Sequence, residues 1–193
     1  SVKKLNLEIL KEPIIEDEFK YYTKKIEDIF GKGYSANSLY SVYSLCRYIY
    51  ENKIDGDLIE CGVYEGACVA MMLIYFSEKN DFSRNIYLYD TFEGMTKPSK
   101  NDHYFINDKK LYEGDNFCSL DDVKSNLSSI NYDKSKIHYI KGDVAQTLQK
   151  NNHQVIALLR LDTDFYESTL NELNYLYKSV ISGGFIIYDD YGH

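Results

Sequence analysis

The stretch that decides the fold is DLIECGVYEG at residues 57–66, which runs directly into a second apolar segment. Leu58 to Val63 has the composition of a buried strand, whereas Ala67 to Glu78 has the length and apolar middle of a helix. Gly62 and Gly66 lie at the turn between them, where glycine lets the backbone approach a ligand closely. The first turn of the helix also supplies unpaired N–H groups. The stretch therefore predicts the first strand–helix unit of a ligand-binding α/β sheet.

The alternation of strand and helix continues through the rest of the chain. A capping box at Ser119 and Asp122 predicts a helix that ends near Ser129, and Leu170 to Tyr177 has the apolar spacing of another helix. Strands separated by helices pair in parallel with right-handed crossovers, so the sequence predicts an α/β fold with a doubly wound, mainly parallel sheet. The four further strands are predicted at Asn85–Tyr89, Lys136–Ile140, Val155–Leu161 and Gly184–Tyr188.

The segment before the sheet is predicted to be helical. Apolar residues recur at helical spacing from Ile15 to Phe30 and from Leu39 to Tyr50, after a polar arm at residues 1–13. These helices either cover a ligand site or pad the sheet, and the pattern fits both interpretations. We therefore divide the single predicted domain into an arm with a helical cap at residues 1–54 and a core at residues 55–193.

Composition places the chain among globular proteins and argues against several function classes. Apolar residues make up 44% of the 193 residues and charged residues 27%, which suits one domain with its own core. The net charge of −8 argues against nucleic acid or an anionic membrane as a general partner. The sequence has no run of about 18 apolar residues and no apolar signal core, so a cytoplasmic location is expected. The four cysteines lack metal-binding spacing and are expected to be reduced thiols.

Acidic residues follow two of the predicted strands. Asp162 comes directly after one apolar run, and the pair Asp189-Asp190 comes directly after the last one. Because the carboxyl ends of parallel strands meet at one edge of a sheet, these carboxylates should converge there. They would repel one another unless a cation lay between them. A set of oxygen ligands of this kind suits Mg²⁺ or a similar hard ion, so the sequence predicts a metal site.

The same edge also carries acids that suit a nucleoside cofactor. Asp90 ends the second predicted strand, where a carboxylate can accept hydrogen bonds from ribose hydroxyls. Asp143 follows the third strand and could receive an adenine amino group. A nicotinamide enzyme is the competing interpretation, but its G-x-G-x-x-G turn is absent, since only Gly62 and Gly66 are present. The carboxylate of Glu60 would repel a pyrophosphate, whereas it is tolerated beside the ammonium and sulfonium groups of S-adenosylmethionine.

Four segments together resemble the macrocin O-methyltransferase family. They are residues 57–66, 86–95, 157–169 and 189–193, and the resemblance extends over residues 34–193. The best-known members methylate sugar hydroxyls on macrolide and aminocoumarin antibiotics. The resemblance therefore implies a Rossmann-like methyltransferase sheet, S-adenosylmethionine and Mg²⁺ as cofactors, and a small sugar-containing acceptor. Family members are often dimers, so the resemblance implies a homodimer as one expected assembly.

The resemblance also assigns the residues that would hold the cofactor. The glycine-containing turn would border its amino-acid end, the acid after the second strand its ribose, and the acid after the third strand its adenine. The full predicted set is Glu60, Gly62, Tyr64, Gly66, Asp90, Thr91, Phe92, Gly142, Asp143 and Val144.

The metal ligands follow from the same resemblance. It implies that Asp162, Asp189 and Asp190 bind Mg²⁺, in an arrangement similar to that of catechol-type O-methyltransferases. The lysine that serves as the base in those enzymes corresponds to Phe165 here, so that role cannot be carried over. A metal at this position would stabilise the acceptor hydroxyl as its proton leaves.

Three residues are candidates for the catalytic proton transfer. Asp162 is predicted as a metal ligand and as the first candidate base. Asp164 is the second candidate, although an aspartate just before a helix is also a preferred N-cap. His193 is the third candidate, at the last position of the sequence, where side chains are often loosely ordered.

Two other functions stay open at this point. One is a metal-dependent O-methyltransferase of a phenol or catechol, since the acceptor would be selected by the N-terminal helices and the long loop from Thr91 to Asn116. The other is a non-catalytic fragment or module that only holds the cofactor. Family members continue past the segment at residues 189–193 with another helix and further strands. The chain is therefore expected to be short at its C-terminus, which would leave the fifth strand as an edge.

Overall fold

The computed structural model describes residues 17–102 and 112–189, which contain five strands and six α-helices. The strands are β1 (Asp57–Cys61), β2 (Ile86–Asp90), β3 (Ile137–Lys141), β4 (Ile156–Leu161) and β5 (Val180–Tyr188). The helices are α1 (Asp17–Phe30), α2 (Ala36–Glu51), α3 (Ala67–Glu78), α4 (Leu120–Ser128), α5 (Val144–Thr147) and α6 (Tyr166–Leu176).

The five strands form one parallel sheet with the order β3-β2-β1-β4-β5. The chain builds one half of the sheet from β1 to β3 and then crosses to the other side of β1 to add β4 and β5. The strand order therefore reverses between β1 and β4. In doubly wound sheets, ligands bind beyond the carboxyl ends of the strands at this switch point. The predicted doubly wound, parallel sheet is confirmed.

Successive residues of the central strands pack against different layers of helices. Leu58 and Leu158 belong to a core shared with α3 and the N-terminal helices. Ile59 and Leu159 face the opposite side and pack in a second core with α5 and α6. Because β4 is buried on both faces, its sequence is a nearly continuous apolar run, broken by Arg160, rather than an alternating one.

The N-terminal helices pack mainly on α3. Every residue from Val69 to Phe76 is buried, because α3 lies between the sheet on one side and α1 and α2 on the other. The ring of Tyr75 lies 5.4 Å from that of Tyr22 and 5.9 Å from that of Tyr43, separations at which aromatic pairs attract. A helix that is apolar on all sides is the sequence signature of this burial.

Most predicted elements are found within a residue or two of their predicted bounds. Helix α3 has the predicted bounds, and Ser119 caps α4 by accepting a hydrogen bond from the Asp122 N–H at 3.2 Å. Strand β5 begins at Val180, before the predicted start, because Gly183 and Gly184 interrupt its apolar pattern without ending the strand. Helix α5 is only 4 residues long, too short to show a helical period, and was not predicted.

Two further observations concern the helices and the cysteines. Within the described residues, no helix combines the length and the apolar character that crossing a membrane requires. All four cysteines are free, as the sequence predicts, and Cys46 and Cys61 are buried. Burial raises the pKa of the Cys46 thiol, which keeps it protonated.

Candidate functional site

The loops that follow β1, β2 and β4 share an unusual backbone conformation. The φ angle is 50° at Tyr64, 52° at Phe92 and 62° at Asp164, all in the left-handed region. A non-glycine residue in this region costs roughly 1–2 kcal/mol, and such residues cluster where loops are held in shape for a ligand. Three neighbouring loops at the carboxyl edge of the sheet are therefore held in defined, unfavourable conformations.

Asp90, the last residue of β2, fixes two of these loops. Its Oδ2 accepts hydrogen bonds from the backbone N–H groups of Val63 and Tyr64 at 2.7 and 3.0 Å. Its Oδ1 accepts one from the backbone N–H of Phe92 at 2.7 Å. The predicted ribose contact of Asp90 stays a prediction, and a ribose hydroxyl would have to share these oxygens, each of which has two lone pairs.

The two glycines of the turn after β1 are required for different reasons. A Cβ atom on Gly62 would lie 1.8 Å from the carbonyl oxygen of Asp162, because the ends of β1 and β4 touch there. Gly66 is the N-cap of α3 with φ 94° and makes no side-chain capping bond. The start of α3 is thus a helix N-terminus of the kind that binds anions such as a carboxylate. The roles predicted for both glycines beside a cofactor are compatible with these positions.

Three acidic side chains converge on the guanidinium of Arg160 in β4. Its Nη1 lies 2.5 Å from Oε1 of Glu60 and 2.7 Å from Oδ2 of Asp162. Its Nη2 lies 2.6 Å from Oδ1 of Asp189. Glu60 lies in β1, whereas the two aspartates directly follow β4 and β5. The predicted convergence of Asp162 and Asp189 is therefore seen, and among the described residues the cation between them is an arginine side chain.

This cluster extends from the protein interior to the surface. Arg160 is 3% exposed and Glu60 1%, whereas the side chains of Asp162 and Asp189 are 28% and 27% exposed. Burial raises the pKa of Glu60, and Arg160 opposes that rise. The Glu60 carboxylate is buried and contacts Arg160. Its predicted place beside the cofactor stays a prediction.

The two aspartates are also held by their backbone. The Asp162 N–H donates to the carbonyl oxygen of Cys61 at 2.8 Å, and the Asp189 N–H to that of Leu161 at 3.0 Å. The Asp189 Oδ1 also accepts a hydrogen bond from the Ser38 hydroxyl at 3.2 Å. Ser38 lies in the first turn of α2, so the N-terminal helical layer reaches the site as well as packing on α3.

Two predicted site residues, Asp190 and His193, lie outside the described residues. The predicted metal triad is therefore described only for Asp162 and Asp189. Within residues 17–102 and 112–189, no group of three or more His, Cys, Asp or Glu side chains is arranged to hold a metal ion. The Mg²⁺ site stays a prediction in which Asp190 would supply the third carboxylate.

The loop after β4 is anchored from inside the protein. The Thr163 hydroxyl donates to Oε1 of Glu172 at 2.9 Å, and Glu172 is a fully buried residue of α6. The N-cap of α6 is Phe165, which makes no side-chain capping bond. The interpretation of Asp164 as that cap is therefore wrong, and Asp164 is instead exposed at the carboxyl edge. Its role as a base stays a prediction.

The loop after β3 brings the predicted adenine-binding residues next to β2. Gly142 has φ 135°, and its N–H donates to the carbonyl oxygen of Asp90 at 2.9 Å. Asp143 caps α5, because its Oδ1 accepts a hydrogen bond from the Ala145 N–H at 2.8 Å. Val144 is buried behind it. Asp143 therefore has a structural role, and its predicted contact with adenine stays a prediction.

The long loop after β2 closes on itself and on α6. The Met95 N–H donates to the carbonyl oxygen of Asp115 at 2.8 Å, which joins the two ends of the loop. The Asp102 Oδ1 accepts a hydrogen bond from the Tyr166 N–H at 2.7 Å, at the first residue of α6. Asp102 thus supplies the acceptor that the N-cap of α6 lacks. Residues 103–111 lie outside the described part of the chain, so the predicted loop is seen at its two ends.

Arg160 and Asp102 are the residues at this edge that sequence reasoning missed. Arg160 is the one charged residue of β4, whose 6 residues are all buried. A single charge within such a strand, just before a predicted site aspartate, was a usable signal because buried charges are almost always paired. Asp102 offered no such signal, because its contact with Tyr166 joins residues 64 positions apart.

This edge of the sheet suits a particular kind of ligand. It combines a glycine turn, the N-terminus of α3 and several carboxylates around one buried cation. Such a surface favours a ligand with hydroxyl groups and a positive charge over one with a pyrophosphate. The partly exposed carboxylate of Asp162 can also accept a proton from a hydroxyl group placed beside it.

Comparison with known proteins adds independent findings. A family model described as Macrocin-O-methyltransferase (TylF) matches residues 34–193. The 8-demethyl-8-(2,3-dimethoxy-α-L-rhamnosyl)-tetracenomycin-C 4′-O-methyltransferase of Streptomyces olivaceus is 30% identical over 145 residues, which cover 74% of this chain and 56% of that protein. The demethyldecarbamoylnovobiocin O-methyltransferase of Streptomyces niveus is 29% identical, with coverages of 72% and 54%.

The fold is also similar to that of a solved structure. The structure of the O-methyltransferase NovP aligns with a TM-score of 0.70 at 26% identity. The alignment covers 79% of this chain and 64% of that one. The chain spans slightly more than half the length of the two Streptomyces relatives.

Proposed function

Because this chain belongs to the macrocin O-methyltransferase family, we propose that the protein transfers a methyl group from S-adenosylmethionine to a sugar hydroxyl. The family membership predicted from four sequence segments is confirmed by the match over residues 34–193. The observation that carries the proposal is the close approach of the Gly62 and Asp162 backbones at the switch point, where a Cβ atom on Gly62 would collide with the Asp162 carbonyl group. It joins the turn expected to hold the methyl donor to the acid expected to act on the acceptor, and the two reactants must meet at such a place.

The proposed reaction is an in-line displacement. The acceptor oxygen attacks the methyl carbon, the carbon–sulfur bond breaks, and its electron pair stays on the sulfur of S-adenosylhomocysteine. A sugar hydroxyl is a poor nucleophile at neutral pH, so its proton must be accepted as the new carbon–oxygen bond forms. We assign that proton to the Asp162 carboxylate, which is partly exposed beside the turn. Asp164 and His193 are the other candidates for this step.

The cofactor is proposed to lie across the ends of β1, β2 and β3. The N-terminus of α3 suits the carboxylate of its amino-acid end, and the carboxylates around Arg160 favour its ammonium and sulfonium charges. Asp90 and Asp143 lie at the ends of the next two strands, where ribose and adenine would follow in order. Asp90 already fixes the turn after β1, so it would hold the ribose and the turn at the same time.

The donor groups present also fit a divalent cation. Asp162 and Asp189 offer carboxylate oxygens, contact the same guanidinium and are partly exposed. Oxygen ligands of this kind suit Mg²⁺, with Asp190 as the third proposed ligand. When bound, Mg²⁺ would stabilise the developing negative charge on the acceptor oxygen and orient the acceptor.

The names of the relatives guide the proposed acceptor. The first is named for 4′-O-methylation of a rhamnosyl tetracenomycin and the second for methylation of demethyldecarbamoylnovobiocin. We therefore propose a glycoside with a free sugar hydroxyl as the acceptor class. A phenol or catechol acceptor has less support, because the position of the base lysine in catechol-type enzymes is occupied by Phe165, which is buried.

The proposal can be tested by calorimetric titration with S-adenosylhomocysteine, followed by mass spectrometry of a rhamnosylated acceptor incubated with S-adenosylmethionine. We expect binding by the wild type, and binding weakened by about tenfold or more in Asp90→Asn because hydrogen bonds to a charged carboxylate are lost. Glu93→Gln is the matched control, since Glu93 is exposed in the same loop and pairs with Lys141 at 2.8 Å. A folded wild type that binds no S-adenosylhomocysteine would contradict the proposal.

A further inference from the structure

We propose that Arg160 is a positioning residue for methyl transfer, and that its guanidinium fixes Asp162 and Asp189 relative to the turn after β1. The inference rests on the proposed function and adds to it a residue that need not touch the substrate. Arg160 contacts carboxylates from three adjacent strands, because Glu60 lies in β1 and the two aspartates follow β4 and β5. One side chain therefore joins the cofactor side of the switch point to the acceptor side.

The pairing of the strands places this side chain at the centre of the cluster. Glu60 and Arg160 are direct partners in the register between β1 and β4. Because side chains alternate between the two faces of a sheet, both point to the face covered by α3. Asp162, two residues after Arg160, lies towards the same face. The guanidinium also reaches Asp189, whose Oδ1 lies 2.6 Å from the Arg160 Nη2.

The geometry needs an arginine rather than any cation. A guanidinium presents five N–H donors in a fixed plane and can bind several carboxylates at defined angles. Here Nη1 serves Glu60 and Asp162, while Nη2 serves Asp189. A lysine has the same charge but a single flexible ammonium group, and it cannot hold three acids in one plane. Arg160→Lys therefore removes the geometry and keeps the charge.

The expected consequence concerns the rate rather than cofactor binding. The partly exposed faces of Asp162 and Asp189 are where the acceptor hydroxyl and its proton are proposed to lie. A displacement of about 1 Å at a reacting centre can cost about 100-fold in rate. The backbone contacts of the glycine turn with Asp90 do not involve Arg160, so the cofactor should still bind.

Arg84 is a matched control for a purely structural role. It is also buried, but its Nη1 and Nη2 donate to the backbone carbonyl oxygens of Gly56 and Ile54 at 2.8 and 2.7 Å, at the opposite edge of the sheet. Arg84→Lys should lower the melting temperature and leave kcat unchanged. Arg160→Lys should lower both, and this difference separates positioning from stability alone.

The first measurement does not depend on activity. Melting temperatures are compared for the wild type, Arg160→Lys, Asp189→Asn and the double variant. If Arg160 holds Asp189, the double variant should lose less than the sum of the two single losses, because contacting residues are not additive. The pair Arg84→Lys and Asp189→Asn should be additive, since these residues lie at opposite edges. Additive losses for the Arg160 pair would overturn the inference.

The second measurement is steady-state methyl transfer. We expect kcat of Arg160→Lys to fall by about 100-fold, with KM for S-adenosylmethionine within about threefold of the wild type, since remote binding contacts are kept. An unchanged kcat in that variant, with normal transfer by the wild type, would overturn the role of Arg160 and leave the proposed function standing. If the losses of melting temperature for the Arg160 pair are not additive, but the wild type transfers no methyl group, the result would count against the proposed function instead.

Discussion

Among the described residues, two arginines are buried at opposite edges of the same sheet, and their surroundings differ. Arg84, at the edge where the strands begin, is 7% exposed and donates to two backbone carbonyl oxygens. It also pairs with Asp81 at 3.4 Å and lies 4.9 Å from the ring of Phe76. Arg160, at the edge where the strands end, contacts the carboxylates of Glu60, Asp162 and Asp189 instead.

The difference lies in the balance of charge at the two edges of the sheet. Arg84 has one acidic partner, so its charge is balanced where it lies. Arg160 is one cation among three acids, so the carboxyl edge keeps an excess of negative charge. Charged groups that are buried and held in unbalanced sets occur preferentially at functional sites, although structural networks form them too. The left-handed residues Tyr64, Phe92 and Asp164 lie at this same edge.

The largest predicted effect tests how closely the backbones of β1 and β4 approach each other at each edge of the sheet. In Gly62→Ala the new Cβ would lie 1.8 Å from a backbone oxygen, which only a backbone shift can relieve. We expect a loss of more than about 4 kcal/mol of unfolding free energy, or no folded protein. Gly56→Ala is the counterpart at the opposite edge, where the nearest backbone atom would be 2.8 Å away, and should cost about 2–3 kcal/mol. Urea unfolding measures both, and equal losses would contradict the comparison.

The next effect concerns the two arginines themselves. Arg160→Met should cost about 3–5 kcal/mol, because it leaves acids without their buried partner. Arg84→Met leaves buried carbonyl oxygens without a donor, which costs about 1–3 kcal/mol. Urea unfolding at neutral pH gives both values on the same scale. A larger loss for Arg84→Met would mean that the acids around Arg160 are already well solvated.

The general shape of the carboxyl edge was predictable from the sequence, whereas its internal contacts were not. Apolar runs ending in Asp90, Asp162 and Asp189 are enough to place those acids at one edge, because parallel strands end together. The contact between Glu60 and Arg160 depends on the register of β1 against β4, which no local pattern specifies. The sequence therefore predicted a cation between the acids and interpreted it as Mg²⁺, but it did not identify the arginine.

The helix caps also divide into one that could be predicted from the sequence and one that could not. Ser119 was found from sequence because a capping box acts within one helical turn. The sequence offered Asp164 as a possible cap of α6, as an alternative to its role as a base, whereas the structure uses Asp102 from the distant loop. Contacts within a turn can be predicted from spacing, and contacts made by a long loop depend on the folded chain.

The smallest expected effect is a pH dependence of stability that belongs to the edge where the strands begin. His153 is buried there, with its Nε2 2.6 Å from the Tyr89 hydroxyl. Burial lowers the pKa of His153 below its usual value, which Asp57 partly opposes. In the unfolded chain the pKa is about 6.5, so below that pH the unfolded state binds more protons than the folded one. Stability should therefore fall as the pH drops from about 6.5 through the lower folded value.

Comparing the wild type with His153→Gln isolates this contribution. The variant should lose stability at neutral pH, because the contact with Tyr89 is altered, but its unfolding free energy should decline less steeply between pH 7 and pH 5.5. The acids around Arg160 are present in both proteins, so they cancel in the difference between the two slopes. Parallel slopes would show that His153 titrates alike in the folded and unfolded chains. The acid sensitivity of the fold would then come from other groups, such as Asp81, in which burial is outweighed by the hydrogen bonds to Ser83 and the contact with Arg84, so that its pKa is lowered.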